Sequence, residues 1–196
     1  MPLWGATDSD ESKPKFLTDE QKKLVYATKS GWVLENGALT GNDNANADPE
    51  ILVAIGELAT SIGSADITEI EFISTAFDVS AGGTIQVRAR FNEEVDVDTS
   101  GGVPFLAITN GNQGTGSGRG PHNAPYSSGT GTNELVFAIT IGAAAGSIAA
   151  DDVLVVGANA INLNSGTIKD AGTSTNSTIT NVASIGTAAG SITAVA

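Results

Sequence analysis

Apolar and polar side chains alternate along two stretches of the chain. Residues 84–91 (TIQVRARF) and 135–141 (LVFAITI) carry apolar side chains at every second position. This period of two is typical of a half-buried β-strand. Residues 153–156 (VLVV) form a short apolar run, as expected of a strand covered on both faces. No helical spacing occurs in these stretches, so the pattern predicts an all-β fold.

Weaker patterns predict further strands, which Gly, Asn and Ser separate. These strands are expected at residues 66–74, 103–109, 179–185 and 192–195. Residues 110–130 are Gly-rich and are expected to form a long loop. Many short strands with Gly-rich turns are typical of a β-sandwich.

The first third of the chain has a different pattern. Residues 24–35 (LVYATKSGWVLE) predict a β-hairpin with a turn at Lys-Ser-Gly. Residues 49–59 leave two alternatives open: Asp48-Pro49 favours a helix start, whereas the β-branched ILVAI favours a strand over 50–58, which we prefer. The predicted division is an extended arm at 1–20, a small β-rich attachment segment at 21–65 and a sandwich at 66–196.

Charge is unevenly distributed. Residues 1–29 hold five Lys and five acidic side chains, whereas residues 30–196 hold four basic and seventeen acidic ones and carry the whole net charge of −13. Such a surface repels phosphate, so we expect neither nucleic acid nor an anionic membrane as a partner. No apolar run reaches the roughly 20 residues of a membrane span. The start MPLWGATDSDESKPK lacks the basic and apolar regions of a signal peptide, so none is expected.

Residues able to carry enzyme chemistry are few. The chain has no Cys and a single histidine, His122, so a His- or Cys-based zinc site is not expected. The loop 111–120 (GNQGTGSGRG) lacks the Lys-Ser/Thr step of a phosphate-binding loop, and no GxSxG motif occurs. We therefore expect His122 to be a loop residue and the protein to be non-enzymatic.

One metal site is worth considering. Alternate residues of a strand point to one face, so Glu94, Asp96 and Asp98 could gather oxygen ligands for calcium there. No other cofactor is expected. The alternative is a solvated acidic edge that prevents pairing with other chains.

Four apolar or aromatic side chains are candidates for partner contacts. Leu3 and Trp4 lie in the polar arm, where Trp4 either folds back on its own domain or inserts into a neighbouring subunit. Trp32 lies in the hairpin. Tyr126 lies in the long loop, where its ring could stack on a sugar.

The segments GTIQVRARFNEEVDVDTSGGVPFLAITNG and TNELVFAITI, followed by DDVLVVGANAINLNSGTIKDA, carry a family resemblance. Over residues 67–180 the chain resembles the bacterial Ig-like domains of the SwmB type, which are repeated in surface adhesins. The resemblance implies an Ig-like β-sandwich that serves as a spacer or stalk. It implies no shared active site.

The N-terminal third carries a second resemblance. The opening MPLWG, the SKPK-F-L step and the LVYAT…GWVLE hairpin resemble small virion structural proteins of tailed phages of marine cyanobacteria. This resemblance implies a building block of the particle, made in the host cytoplasm. The implied partners are the major capsid protein or other virion subunits, and the implied assembly is homo-oligomeric or lattice-bound.

These observations lead to one favoured function and two alternatives. The favoured function is a capsid decoration protein on the outer surface of the virion, held by its N-terminal segment. A tail, neck or fibre-associated structural protein is the first alternative, because the sequence does not separate head from tail. A cell-surface glycan-binding module that uses the loop 110–130 is the second.

Overall fold

A computed structural model describes residues 13–35, 38, 48–111 and 119–196 of the chain. The described residues are mostly strands, and the predicted all-β sandwich is confirmed. The strands are β1 (Val25–Thr28), β2 (Gly31–Leu34), β3 (Glu50–Ala54), β4 (Ile67–Phe72), β5 (Phe77–Asp78), β6 (Gly83–Asp98), β7 (Phe105–Asn110), β8 (His122–Ser128), β9 (Thr132–Ile141), β10 (Val153–Asn162), β11 (Thr167–Asp170) and β12 (Ser191–Val195). Two short helices are α1 (Asp19–Lys23) and α2 (Ala183–Ala188), and a 3-10 turn spans Leu58–Thr60.

Strand β6 is the centre of the first layer. Along one edge it pairs antiparallel with β9, from Gly83 opposite Ile141 to Arg90 opposite Glu134. It also pairs antiparallel with β4 and β11 and, at Glu93, parallel with β1. The strand continues well beyond the predicted end at Phe91, because these partners hydrogen-bond its second half.

The second layer contains β7, β10, β12 and β5 in that order. Strand β8 joins the layers, since its first half pairs with β7 and its second half with β9. Buried apolar residues of the two layers form one core. The fully buried large side chains among them are Ile70, Ile85, Phe91, Phe137, Leu135, Leu106, Ile108, Leu154 and Ile168.

A second, smaller apolar cluster lies in the N-terminal unit, which we define as residues 13–62. The predicted hairpin is present as β1 and β2, and β3 adds to its edge. The strand alternative is correct for Glu50–Ala54, but the strand is shorter than the expected 50–58, and Leu58–Thr60 form the 3-10 turn. Buried members of this cluster come from the segment before α1, from the hairpin and from the 3-10 turn. They are Leu17, Val25, Ala27, Trp32, Leu34, Leu58 and Ala59.

Three predictions of local structure were wrong. Residues 19–20 are not extended, because Thr18 caps α1: its hydroxyl accepts from the Gln21 N–H at 3.2 Å, and the Gln21 side chain accepts from the Thr18 N–H at 3.0 Å. The loop 110–130 contains β8, which pairs with β7 and β9. The remaining arm, residues 1–12, lies outside the described residues.

The third wrong prediction is the strand at 179–185, where α2 begins at Ala183 instead. The side chain of Asn181 takes over strand-like hydrogen bonds to β10: its Oδ1 accepts from the Ala160 N–H and its Nδ2 donates to the Gly157 carbonyl, both at 2.9 Å. The helix then lies directly on β10, since a Cβ on Gly186 would sit only 2.4 Å from the Gly157 oxygen. Only glycine permits this approach.

Candidate functional site

Two of the four candidates for partner contacts lie within the described residues, and both make contacts inside the molecule. Trp32 is 2 % exposed in the core of the N-terminal unit, so the expectation that it contacts a partner is wrong. The ring of Tyr126 packs edge-on against Phe137 at 6.2 Å, and its hydroxyl accepts from the Thr130 N–H at 2.9 Å. Tyr126 is half-buried and braces β8 against β9. Leu3 and Trp4 lie outside the described residues.

The predicted calcium ligands do lie on one face of β6, but they form no metal site. Within the described ranges, no group of three His, Cys, Asp or Glu side chains is arranged to hold a metal ion. Asp96 and Asp98 are exposed, and Glu94 is half-buried. The Asp98 carboxylate accepts from the Ser100 N–H at 2.8 Å, which holds the pKa of Asp98 below its usual range. The calcium expectation for these three residues is wrong because regular strand geometry spreads them along the surface.

The outer face of β6 carries a different charged group. The Arg90 side chain is 8 % exposed and lies among four carboxylates. Its Nε lies 2.7 Å from Glu134 and 3.5 Å from Glu35, and its Nη1 lies 2.5 Å from Glu69 and 2.9 Å from Glu71. Burial alone would lower the pKa of Arg90, but these carboxylates raise it above its ordinary value. The guanidinium is therefore always charged and always paired.

Arg88 extends this group along β6. Its Nε donates to Glu71 at 2.7 Å and its Nη1 donates to Glu134 at 3.0 Å. We call the whole set the arginine ladder, which consists of Arg88, Arg90, Glu35, Glu69, Glu71 and Glu134.

The arginine ladder connects the N-terminal unit to the sandwich. Glu35, which follows β2, accepts from the Asn133 Nδ2 at 2.8 Å and lies beside Arg90. Burial raises the pKa of Glu35, against the effect of the Asn133 hydrogen bond. A cleft of about 480 Å³ separates the two parts here and is lined by Leu24, Tyr26, Glu35, Ala38, Pro49, Arg88, Arg90, Thr132, Asn133 and Glu134. Contacts on both sides of this cleft fix the orientation of the N-terminal unit.

Among the described residues, one edge of the sheet in the N-terminal unit is unpaired. Strand β3 ends the strand order and, within the described residues, pairs only with β2. Its sequence, EILVA, has no Lys or Pro to discourage pairing, and Ile51 is 55 % exposed. Phe16 of the same unit is 72 % exposed. Unpaired backbone groups beside exposed apolar side chains are suited to strand addition by another protein.

Sequence reasoning missed two buried polar clusters. The first joins Asn110 and Arg119 to the start of β10: Asp152 Oδ2 accepts from Asn110 Nδ2 at 2.7 Å and lies 3.0 Å from Arg119 Nε. His122 is buried beside them as the first residue of β8, contrary to its expected place in a loop, and burial lowers its pKa. These groups connect the end of β7 to the start of β10 at one end of the sandwich.

The second missed cluster lies on the inner face of β6. Glu93 and Asp170 are both 0 % exposed, and neither carboxylate oxygen of Glu93 has a hydrogen-bond partner in the part of the chain that the structure describes. A signal for Glu93 was present in the sequence, because it shares the strand parity of Phe91 and Val95, which are core residues.

The fold and these sites define an acidic all-β sandwich that carries a small, firmly attached N-terminal unit with an open strand edge. Comparison with protein-family models, with curated proteins and with solved structures found no match to this chain. Among the described residues, neither helix is long and apolar enough to cross a bilayer.

Proposed function

We propose that the protein is a non-enzymatic structural protein of a phage virion, most specifically a decoration protein on the outer surface of the capsid. Its N-terminal unit attaches to the major capsid protein or another virion subunit, and the sandwich faces solvent. The observation that carries this proposal is the open edge of β3 in a unit that is fixed to the sandwich.

The geometry of β3 favours attachment by strand addition. An added strand gains main-chain hydrogen bonds along the whole free edge, and the exposed side chain of Ile51 supplies an apolar contact. The arginine ladder holds the unit in one orientation, so less freedom is lost when it binds. An adaptor between a lattice and solvent benefits from both properties.

The charge distribution supports the outer surface over the inner one. The net charge of −13 falls on residues 30–196, which include the whole sandwich. Lining packaged DNA with such a surface would be repulsive, whereas an acidic outer surface keeps particles soluble and separate.

Copy number in purified particles tests this function. A decoration protein occurs in numbers comparable to those of the shell lattice, on the order of hundreds, whereas a neck, tail or fibre protein occurs in roughly three to a dozen copies or in multiples along a tube. Quantitative mass spectrometry against the major shell protein gives this ratio. Absence from the particle would overturn the proposal altogether.

Substitution of the open edge tests the attachment route. Ile51→Lys places a charge on the free face of β3 and is expected to weaken binding to shells that lack the protein by about tenfold or more. Val182→Lys is the matched control, because Val182 is 64 % exposed but lies in the sandwich. Equal binding of the two variants, measured by co-sedimentation, would contradict attachment through β3.

A further inference from the structure

Glu93 is buried where a carboxylate needs a partner. Strand β6 directs it inward, in line with Phe91 and Val95, and it is 0 % exposed. Neither of its oxygens accepts a hydrogen bond, and no salt bridge reaches it among the described residues. A bare carboxylate in such a place costs several kcal/mol, so a positive charge or a proton has to accompany it.

Asp170 adds a second carboxylate to the same place. It lies opposite Val95 in the β6–β11 ladder, so its side chain and that of Glu93 are diagonal neighbours on one face. Its oxygens accept from the Gly172 N–H at 2.6 Å and the Thr173 hydroxyl at 2.8 Å. Burial and then the charges of Asp170 and Asp66 raise the pKa of Glu93 to about 8.

The surroundings offer space and further oxygen ligands. Gly172 has no side chain, and a Cβ on it would lie 3.1 Å from both the Ala59 carbonyl oxygen and Asp170 Oδ1. A carbonyl of the N-terminal unit and a carboxylate of the sandwich therefore both border Gly172. A cavity of about 200 Å³ adjoins this point and is lined by Thr28, Lys29, Ser30, Ala59, Glu94, Ala171 and Gly172.

We propose that Glu93 and Asp170 bind one hard divalent cation of the Ca²⁺ type at the junction between the N-terminal unit and the sandwich. Two carboxylates balance its charge, and both free oxygens of Glu93 can coordinate it. The Ala59 carbonyl and water complete an all-oxygen shell, which Ca²⁺ accepts in flexible geometry. Such an ion connects the two parts of the molecule on the face of β6 opposite to the arginine ladder.

Calcium titration of the purified full chain tests this site without any particle, so its outcome is independent of the proposed attachment function. After treatment with a chelator, the protein is titrated with CaCl₂ by calorimetry, and thermal unfolding is followed with and without CaCl₂. We expect one ion per chain and a higher Tm in calcium. Affinity should increase as the pH rises toward about 8, because a proton on Glu93 competes with the ion.

Two variants and one control localise the site. Glu93→Gln and Asp170→Asn are each expected to lower calcium affinity by at least about tenfold, and Asp170→Asn serves if Glu93→Gln does not fold. Asp96→Asn, an exposed position on the same strand, should bind calcium as the unsubstituted protein does.

Two results would overturn the proposal. The first is an unsubstituted chain whose Tm and heat of titration do not respond to calcium. The second is a loss of binding in Asp96→Asn equal to that in Glu93→Gln. The first result, together with an unfolding profile whose pH dependence Glu93→Gln removes, would assign a proton to the site in place of a cation.

Discussion

Two buried ionisable side chains stand three residues apart on β6, and their surroundings are opposite. Arg90 faces outward beneath the N-terminal unit and meets four carboxylates within 3.5 Å. Glu93 faces inward and meets no donor among the described residues, with Asp170 as its charged neighbour. The difference teaches that burial alone does not define the role of a charge. A satisfied charge fixes structure, whereas an unsatisfied one requires a proton or a bound cation.

The largest expected effect comes from removing the cation of the arginine ladder. Arg90→Met leaves Glu69, Glu71 and Glu134 without the guanidinium that they share, and Arg88 and the more exposed Lys23, 3.8 Å from Glu69, remain as their cations. We expect a loss of about 3–5 kcal/mol in the free energy of unfolding, since a buried ion pair without one partner is strongly destabilising. Urea unfolding measures this loss. A loss below about 1 kcal/mol would mean that the ladder does not join the two parts.

The pH dependence of the stability of metal-free protein tests the surroundings of Glu93. The pKa of Glu93 is raised from 4.5 to about 8, so folding retains a proton that the unfolded chain releases. The contribution of Glu93 to stability is therefore full below pH 4.5 and is lost as the pH rises toward 8, by at most about 1.4 kcal/mol per pH unit. Glu93→Gln should remove this slope. The difference between the two urea-unfolding profiles isolates Glu93, and parallel profiles would refute its raised pKa.

A smaller loss of stability is expected on substitution of Arg88, the second arginine of the arginine ladder. Its side chain is 27 % exposed and its partners Glu71 and Glu134 are 33 % and 26 % exposed, so water screens these pairs. Arg88→Met is expected to cost about 1 kcal/mol or less, well below the loss in Arg90→Met. Unfolding in low and high salt provides the check, because screening should reduce the effect of Arg88→Met. Equal losses at both arginines would remove the distinction drawn from burial.

The smallest effect is expected at the exposed face of β6. Asp96 lies opposite Lys169 in the β6–β11 ladder and is exposed. Asp96→Asn should change the free energy of unfolding by no more than about 0.5 kcal/mol. A large decrease in the Tm of Asp96→Asn would show that the exposed acidic residues of β6, and not Glu93, dominate the electrostatic contribution of this strand to stability.

Much of the fold could be predicted from local pattern. The alternation in residues 84–91 and 135–141 identified the paired strands β6 and β9, and the β-rich segment 24–35 identified the hairpin. The pattern of apolar and polar residues failed where side-chain hydrogen bonds to the backbone determine the local structure. Asn181 imitates a strand partner of β10, and the Thr18–Gln21 capping box, visible in the sequence, starts a helix that the polar composition hid.

The sites were less predictable because their partners are distant in sequence. The alternation in residues 84–91 separates Arg88 and Arg90 from the apolar face of the strand, but nothing local shows that Glu35 lies over Arg90. Parity could have placed Glu93 in the core, yet its proximity to Asp170 depends on the pairing of β6 with β11. The assignment of Trp32 to a partner contact failed because an aromatic residue in a small unit is needed for that unit's own core.

The position of β6 has a consequence for the order of folding. Its neighbours come from both sides of the chain: Ala27 pairs with Glu93, and Thr167 pairs with Asp98. Each pairing closes a long loop before it gains any contact, and chains dominated by such pairings fold in about milliseconds to seconds. The β1–β2 hairpin can form early by itself, but it has to wait for the assembled sheet before it docks. We therefore expect the N-terminal unit to be the last part to reach its final place, although the ribosome makes it before the sandwich.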